Sequence, residues 1–116
     1  MPTKTVRGRV ALVDATMQES EFLAAVIKLA HGRGWLCAHF RPAVLRSGKW
    51  ATHMAGDPGF PDLVFARGGR IILAELKSAG GRLSAAQQRW LDAMAGQPGV
   101  FVWRPADLDA IERVLE

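Results

Sequence analysis

Apolar and polar positions along the chain alternate with two periods, and the change from one to the other marks out its elements. Residues 63–66 and 71–76, Leu-Val-Phe-Ala and Ile-Ile-Leu-Ala-Glu-Leu, flank the pair Gly68-Gly69. Two runs rich in β-branched and large apolar residues around Gly-Gly predict a β-hairpin with a two-residue turn. In the second run both alternating sets are apolar over most of their length, so that strand is expected to be buried on both faces. Upstream, Thr16-Met-Gln-Glu19 has the capping-box pattern, opening a helix that ends near Gly32 or Gly34 with Phe22, Val26 and Leu29 as its apolar stripe. Residues 35–40 read as a strand with Trp35 and Cys37 in the core. Downstream, Ser84 to Gln87 is a second capping box before a helix to about residue 95, with Trp90, Leu91 and Met94 on its buried face. Residues 99–104 read as a strand, and Pro105 starts a last helix over 106–115 whose core face is Leu108, Ile111 and Leu115.

The order helix, strand, strand, strand, helix, strand, helix implies an α/β fold with a mixed central β-sheet flanked by α-helices. Two stretches resist the periods. Residues 1–15 read as a short edge strand at 10–13, as disorder, or as an arm reaching nucleic acid through Lys4, Arg7 and Arg9. Residues 41–60 form a connection too long to be a mere turn, carrying Arg41, Arg46, Lys49, Trp50 and His53. Basic residues interleaved with a tryptophan suit a phosphate backbone and a stacked base, and a solvated loop suits the pattern as well.

The hairpin brings chemistry together. With Gly68-Gly69 as the turn, Arg67 faces Arg70, and counting outward Asp62 faces Glu75, with Cα atoms roughly 4.5 to 5.5 Å apart. Like charges opposite each other are destabilising, so two carboxylates there call for a cation between them. Oxygen ligands suit Mg²⁺, with Mn²⁺ able to substitute. Lys77, two residues past Glu75, points to the same face and is placed to position an attacking water or to offset charge building on a phosphate. The plain alternative is an exposed ion pair of little energetic weight. Glu19 shares the apolar side of the first helix and Gln87 that of the second; for each, capping alone is a sufficient role. His39 has no second histidine or cysteine at zinc spacing, which leaves it a structural residue or a phosphate contact.

Composition narrows the partners. Fifteen Lys and Arg against eleven Asp and Glu give a net charge of +4, a balance that favours polyanions. A length of 116 residues is expected to form one domain with a modest core. Cys37 is the lone cysteine, so no internal disulfide forms. The longest apolar window, residues 22–30, contains Lys28 and is far short of a membrane span, and no secretory signal opens the chain. A cytoplasmic protein with no membrane partner is the expectation.

Gly59-Phe60-Pro61-Asp62-Leu63, Glu75-Leu76-Lys77, Gly81-Arg82-Leu83-Ser84 to Gln87 with Trp90, and Val102-Trp103-Arg104-Pro105 together resemble the VRR-NUC group of the PD-(D/E)XK nuclease superfamily over about residues 16–115. The likeness is to the small stand-alone phage-type form described as Holliday junction resolvase-like. It implies a restriction-endonuclease-like core and Mg²⁺-dependent hydrolysis of phosphodiester bonds in branched DNA by a homodimer. Flap or single-strand cleavage on the same fold, or nucleic-acid binding without turnover, are the alternatives. The resemblance makes Asp62, Glu75 and the Leu76 carbonyl metal ligands, with Glu19 assisting directly or through water. Lys77 and Gln87 orient the attacking water, and Arg41, Arg46, Lys49, Trp50, His39, Arg82 and Arg89, with Arg104, are candidate DNA contacts.

Overall fold

The computed structural model describes residues 17–40, 43–44, 50–51 and 55–116, with only the main chain described at 43, 44, 50 and 51. In order, these are α1 (Glu19–Gly32), β1 (Leu36–His39), β2 (Ala43–Val44), β3 (Trp50–Ala51), β4 (Leu63–Arg67), β5 (Arg70–Leu76), α2 (Ala85–Ala93), β6 (Val100–Trp103), a 3-10 turn (Pro105–Asp107) and α3 (Leu108–Val114). The main sheet has four strands in the order β1-β4-β5-β6. β1 runs antiparallel to β4 and β4 to β5, whereas β6 lies parallel to β5 and is reached through α2, since parallel neighbours need a crossover. The expected mixed α/β sheet flanked by helices is present.

The hairpin register is the expected one, running from Arg67↔Arg70 at the turn to Leu63↔Ala74. Gly68 and Gly69 have φ of 57° and 82°. A tight two-residue turn that follows the strand twist needs positive φ at both positions, where any Cβ would be strained.

Alternation along the hairpin sorts its residues onto two faces. Leu63, Phe65, Ile72, Ala74 and Leu76 are buried with Phe22, Val26 and Ala30 of α1, with Leu108, Ile111 and Leu115 near the C-terminus, and with Trp35 and Trp103, in one core. Asp62, Glu75 and Lys77 belong to the other set, toward which α2 sends Gln87.

Several expectations need correction. β5 is buried on both faces only over Ala74, Glu75 and Leu76; nearer the turn Ile71 is 66% exposed. α1 opens at Glu19 with Gln18 as N-cap, and the Gln18 amide donates to Glu21 Oε1 at 3.2 Å, so Glu21 rather than Glu19 is the capping acid. Its stripe is Phe22, Val26 and Ala30, with Leu29 half-buried beside it. Cys37 is half-buried and packs against the core rather than within it. α2 stops at Ala93 and buries none of its residues fully; Trp90, Leu91 and Met94 are half-buried. The last helix is shorter than expected, its first turn wound as 3-10. The connection after β1 is not structureless, since β2 and β3 pair antiparallel through Ala43↔Ala51 and Val44↔Trp50.

Candidate active site

The edge of the sheet away from the glycine turn opens into a cleft of about 590 Å³. One step beyond Leu63↔Ala74 sets Asp62 beside Glu75, and one step beyond His39↔Leu63 adds Phe40, whose amide donates to the Asp62 carbonyl at 3.0 Å. Phe40, Asp62 and Glu75 thus form one row across three strands, all lining the cleft. Asp62 Oδ2 accepts from the Leu76 amide at 3.2 Å, which pins the carboxylate over β5. The Lys77 amide donates to the Trp103 carbonyl at 3.0 Å, so the parallel ladder with β6 carries on through the lysine.

Glu75 is the buried member, 2% exposed. Its Oε2 accepts from Gln87 Nε2 at 2.9 Å and lies 3.8 Å from Lys77 Nζ. Its Oε1 is buried and has no hydrogen-bond partner among the described residues. Burial pushes the Glu75 carboxyl up to about 8, helped by Asp62, which accepts a hydrogen bond from the protonated form and repels the charged one; Lys77 pulls it down and the Glu19 charge raises it slightly. Two ionised carboxylates can only accept hydrogen bonds, so what joins them is a shared proton or a cation.

Gln87 serves two contacts at once. Its Oε1 accepts from the Ser84 main-chain amide at 2.8 Å while the Gln87 main-chain amide donates to Ser84 Oγ at 3.1 Å, closing the expected capping box. With the oxygen committed to the cap, the side-chain nitrogen must face Glu75, which fixes the amide's orientation on chemical grounds.

Two supports escape the sequence patterns. Gly59, at φ 98°, lies so close to the first turn of α2 that a Cβ there would sit 2.7 Å from the Gln87 nitrogen and closer still to the Ala86 carbonyl. Arg104 Nη1 donates to the Ser78 and Gly81 carbonyls at 2.7 Å each, so it ties down the loop that follows Lys77 and is spent on the fold rather than on phosphate. Neither is visible in a hydrophobic pattern; the run of glycines around each loop is the only hint.

The other sequence-derived candidates divide. Glu19, from the first turn of α1, and His39 both line the cleft. Glu19 is exposed, and among the described residues no three His, Cys, Asp or Glu side chains gather closely enough to hold an ion by themselves. Arg82 and Arg89 are exposed, and Arg89 lines a separate groove of about 140 Å³ with Trp90. Arg41, Arg46 and Lys49 lie outside the described residues, as do residues 1–16, and Trp50 enters only through its main chain.

The sheet and its open end define a class: an α/β protein with a buried glutamate, a neighbouring aspartate and a lysine at the end of a central hairpin. The VRR-NUC domain family matches residues 44–103, from β2 to the end of β6. The chain belongs to the VRR-NUC family, and its mixed sheet agrees with the restriction-endonuclease-like fold. A nuclease-family function acting on nucleic acid follows from that membership. The match includes Asp62, Glu75, Lys77 and Gln87 and excludes α1 with Glu19. Comparison with curated proteins and with solved structures yields no match. Among the described residues no helix is long and apolar enough to cross a membrane.

Proposed function

We propose that this protein is a Mg²⁺-dependent endonuclease that hydrolyses phosphodiester bonds in branched DNA, in the manner of a Holliday junction resolvase. The observation that carries the reading is the Asp62–Glu75 pair with its orphaned oxygen, set beside a lysine in an open cleft. A buried carboxylate oxygen without a donor, next to a second carboxylate, fits a hard divalent cation, and two carboxylates with the Leu76 carbonyl are the donors that would hold it. Such an ion supplies Lewis-acid stabilisation of the charge that grows on the phosphate and lowers the pKa of a bound water.

The chain's own groups account for the rest. Lys77 Nζ, held near Glu75 Oε2, is placed to donate a hydrogen bond to the attacking water and to face a non-bridging phosphate oxygen. Gln87 keeps Glu75 Oε2 occupied, so that the buried Oε1 is the oxygen left without a donor. The bond from water oxygen to phosphorus forms as the bond to the leaving sugar oxygen breaks; the proton lost by water passes to solvent, and solvent returns a proton to the leaving oxygen. Glu19 and His39 line the approach, Glu19 acting through water. Recognition rests on backbone shape, since the sequence carries no recognisable base-reading motif. A two-fold dimer would place one such cleft on each of two opposed strands of a four-way junction.

A panel of end-labelled four-way junction, flap, duplex and single strand, incubated with Mg²⁺ or with chelator, tests the reading. The wild-type protein should cut the junction at paired symmetric positions only with metal, and Lys77→Ala should slow cleavage by about 10²-fold or more. Cleavage by Asp62→Ala and Lys77→Ala at the wild-type rate would sink the mechanism. Single nicks confined to flaps or single strands would move the substrate away from four-way junctions.

A further inference from the structure

Three aromatic rings lead away from the acidic pair. Phe40 follows directly after β1, lines the cleft and is 40% exposed. Its ring meets Phe60 edge to face at a centroid distance of 5.7 Å, and Phe60 meets Trp90 in the same way at 5.1 Å. Trp90 is fixed in turn, because its Nε1 donates to the Pro58 carbonyl at 3.0 Å and to the Asp57 carbonyl at 3.3 Å. The far end of this series opens onto the small groove that carries Arg89.

Burial does not explain the series. A hydrophobic cluster packed for stability alone hides its largest rings, yet here the outermost ring is bared toward the charged cleft. Rigidity, by contrast, is built in: the Phe40 main chain bonds the Asp62 carbonyl, and the two rings behind it are braced from α2 and the loop before β4. An edge-to-face partner covers at most one face of Phe40. A flat ring at fixed distance from a phosphate-handling centre, with Lys77 in the same cleft and Arg89 at the outer end, complements an anionic strand whose bases are free to stack.

We propose that Phe40, braced by Phe60 and Trp90, is a stacking platform for an unpaired base next to the scissile phosphate. The substrate class would then be DNA with at least one splayed nucleotide at the cut, as at a branch point or single-strand boundary. This rests on the nuclease reading for the position of the phosphate, although stacking itself does not require turnover.

Binding is measured with Lys77→Ala protein, which keeps the platform but not the chemistry, using oligonucleotides that carry a fluorescent 2-aminopurine at the branch point. Stacking should quench the probe, and adding Phe40→Ala should abolish the quench and weaken binding to branched or single-stranded DNA by about five- to hundredfold. Phe40→Trp should retain both. Fully paired duplex should be bound equally by all three, and an abasic site at the probe position should erase the penalty of Phe40→Ala. Unchanged quench and affinity in Phe40→Ala would overturn the platform, as would an equal loss on paired duplex or on the abasic strand. A quench lost in Phe40→Ala alongside a wild-type protein that cuts nothing in Mg²⁺ would keep the platform and sink the nuclease; cleavage by wild type with a platform that fails these tests would do the reverse. Thermal melting of Phe40→Ala and the milder Phe40→Leu shows whether either variant is folded, and a quench preserved in Phe40→Leu would also count against a flat stacking ring.

Discussion

The β4–β5 hairpin carries like charges opposite each other at both ends, and the chain treats the two ends in opposite ways. At the turn end Arg67 faces Arg70. Arg67 Nη1 donates to the carbonyls of Arg33 at 2.9 Å and Leu115 at 3.4 Å, Arg70 Nη2 donates to Val114 at 3.2 Å, and both guanidinium groups lie over the Trp35 ring, at 4.4 Å and 5.3 Å. The last carbonyls of α3 have no partners within their own helix, so cations there satisfy orphan acceptors and meet the negative end of the helix dipole. Trp35 Nε1 joins them on Leu115 at 2.9 Å and Arg33 on Glu112 at 2.6 Å. At the open end Asp62 faces Glu75, and the described chain provides one amide, one glutamine and a lysine at 3.8 Å while leaving a buried oxygen without a donor. One repulsion is resolved from within the fold; the other is left for something outside it.

This contrast is open to direct attack. The largest expected effect is at the open end, where Asp62→Asn keeps an acceptor for the Leu76 amide but deletes the charge. Cleavage in Mg²⁺ should fall by about 10²- to 10³-fold, while above pH 8, where Glu75 is ionised as well, the urea midpoint should stay level or rise because a repulsive partner of Glu75 is gone. A loss of stability in Asp62→Asn would mean that the pair holds the fold together and is not a site. Next in size is Gly59→Ala, which drives a methyl into the first turn of α2 and strains a positive φ. It should destabilise by about 2 to 3 kcal/mol and, by shifting Gln87 from Glu75, lower the cleavage rate more than the stability loss alone explains. Full activity in the folded fraction would show that the Gln87 contact is dispensable.

The two ends also differ in how far the sequence betrays them. Gly68-Gly69 between apolar runs sets the register locally, so the Asp62–Glu75 pairing follows by counting, and Ser84 to Gln87 reads as a cap because its contacts are three residues apart. Every partner at the turn end is remote in sequence: Arg33 and Trp35 come from one side of the chain and the 112–115 carbonyls from the other, and no periodicity links them. The aromatic series is hidden for the same reason, since Phe40, Phe60 and Trp90 belong to a strand end, a loop and a helix. Arg104 shows the converse limit, for a basic residue near a predicted site looks like a phosphate contact until two carbonyls are found on it. The misplaced start of α1 has a local cause: Thr16/Glu19 and Gln18/Glu21 offer overlapping boxes, and which one caps depends on where the core side of the helix begins.

At the closed end, Arg67→Met keeps much of the aliphatic stem over Trp35 and removes the charge. It should destabilise by about 1.5 to 3 kcal/mol through two lost charge-assisted hydrogen bonds and a cation–π contact, read from urea unfolding, with cleavage by the folded protein unchanged. A drop in cleavage rate at constant fold would erase the division of labour between the two ends.

The subtlest readout is the pH dependence of stability in chelator. In the unfolded chain Glu75 ionises near 4.5, whereas in the fold its carboxyl holds the proton to about 8, first because it is buried and then because Asp62 lies beside it. Below the lower value both states carry the proton and Glu75 contributes no slope. Between the two values only the folded state carries it, so rising pH pulls the equilibrium toward unfolding, and above the upper value the dependence levels off. Stability should therefore decline from about pH 5 to pH 8 relative to Glu75→Gln, which cannot titrate and should lack that component. At pH 8, Mg²⁺ should raise the melting temperature of the wild type, because an ion bound by the ionised pair favours the folded state, and should leave Glu75→Gln nearly unmoved. Parallel melting curves for the two proteins across this window, with or without Mg²⁺, would place the Glu75 carboxyl on the same footing as the satisfied arginines at the other end of the hairpin.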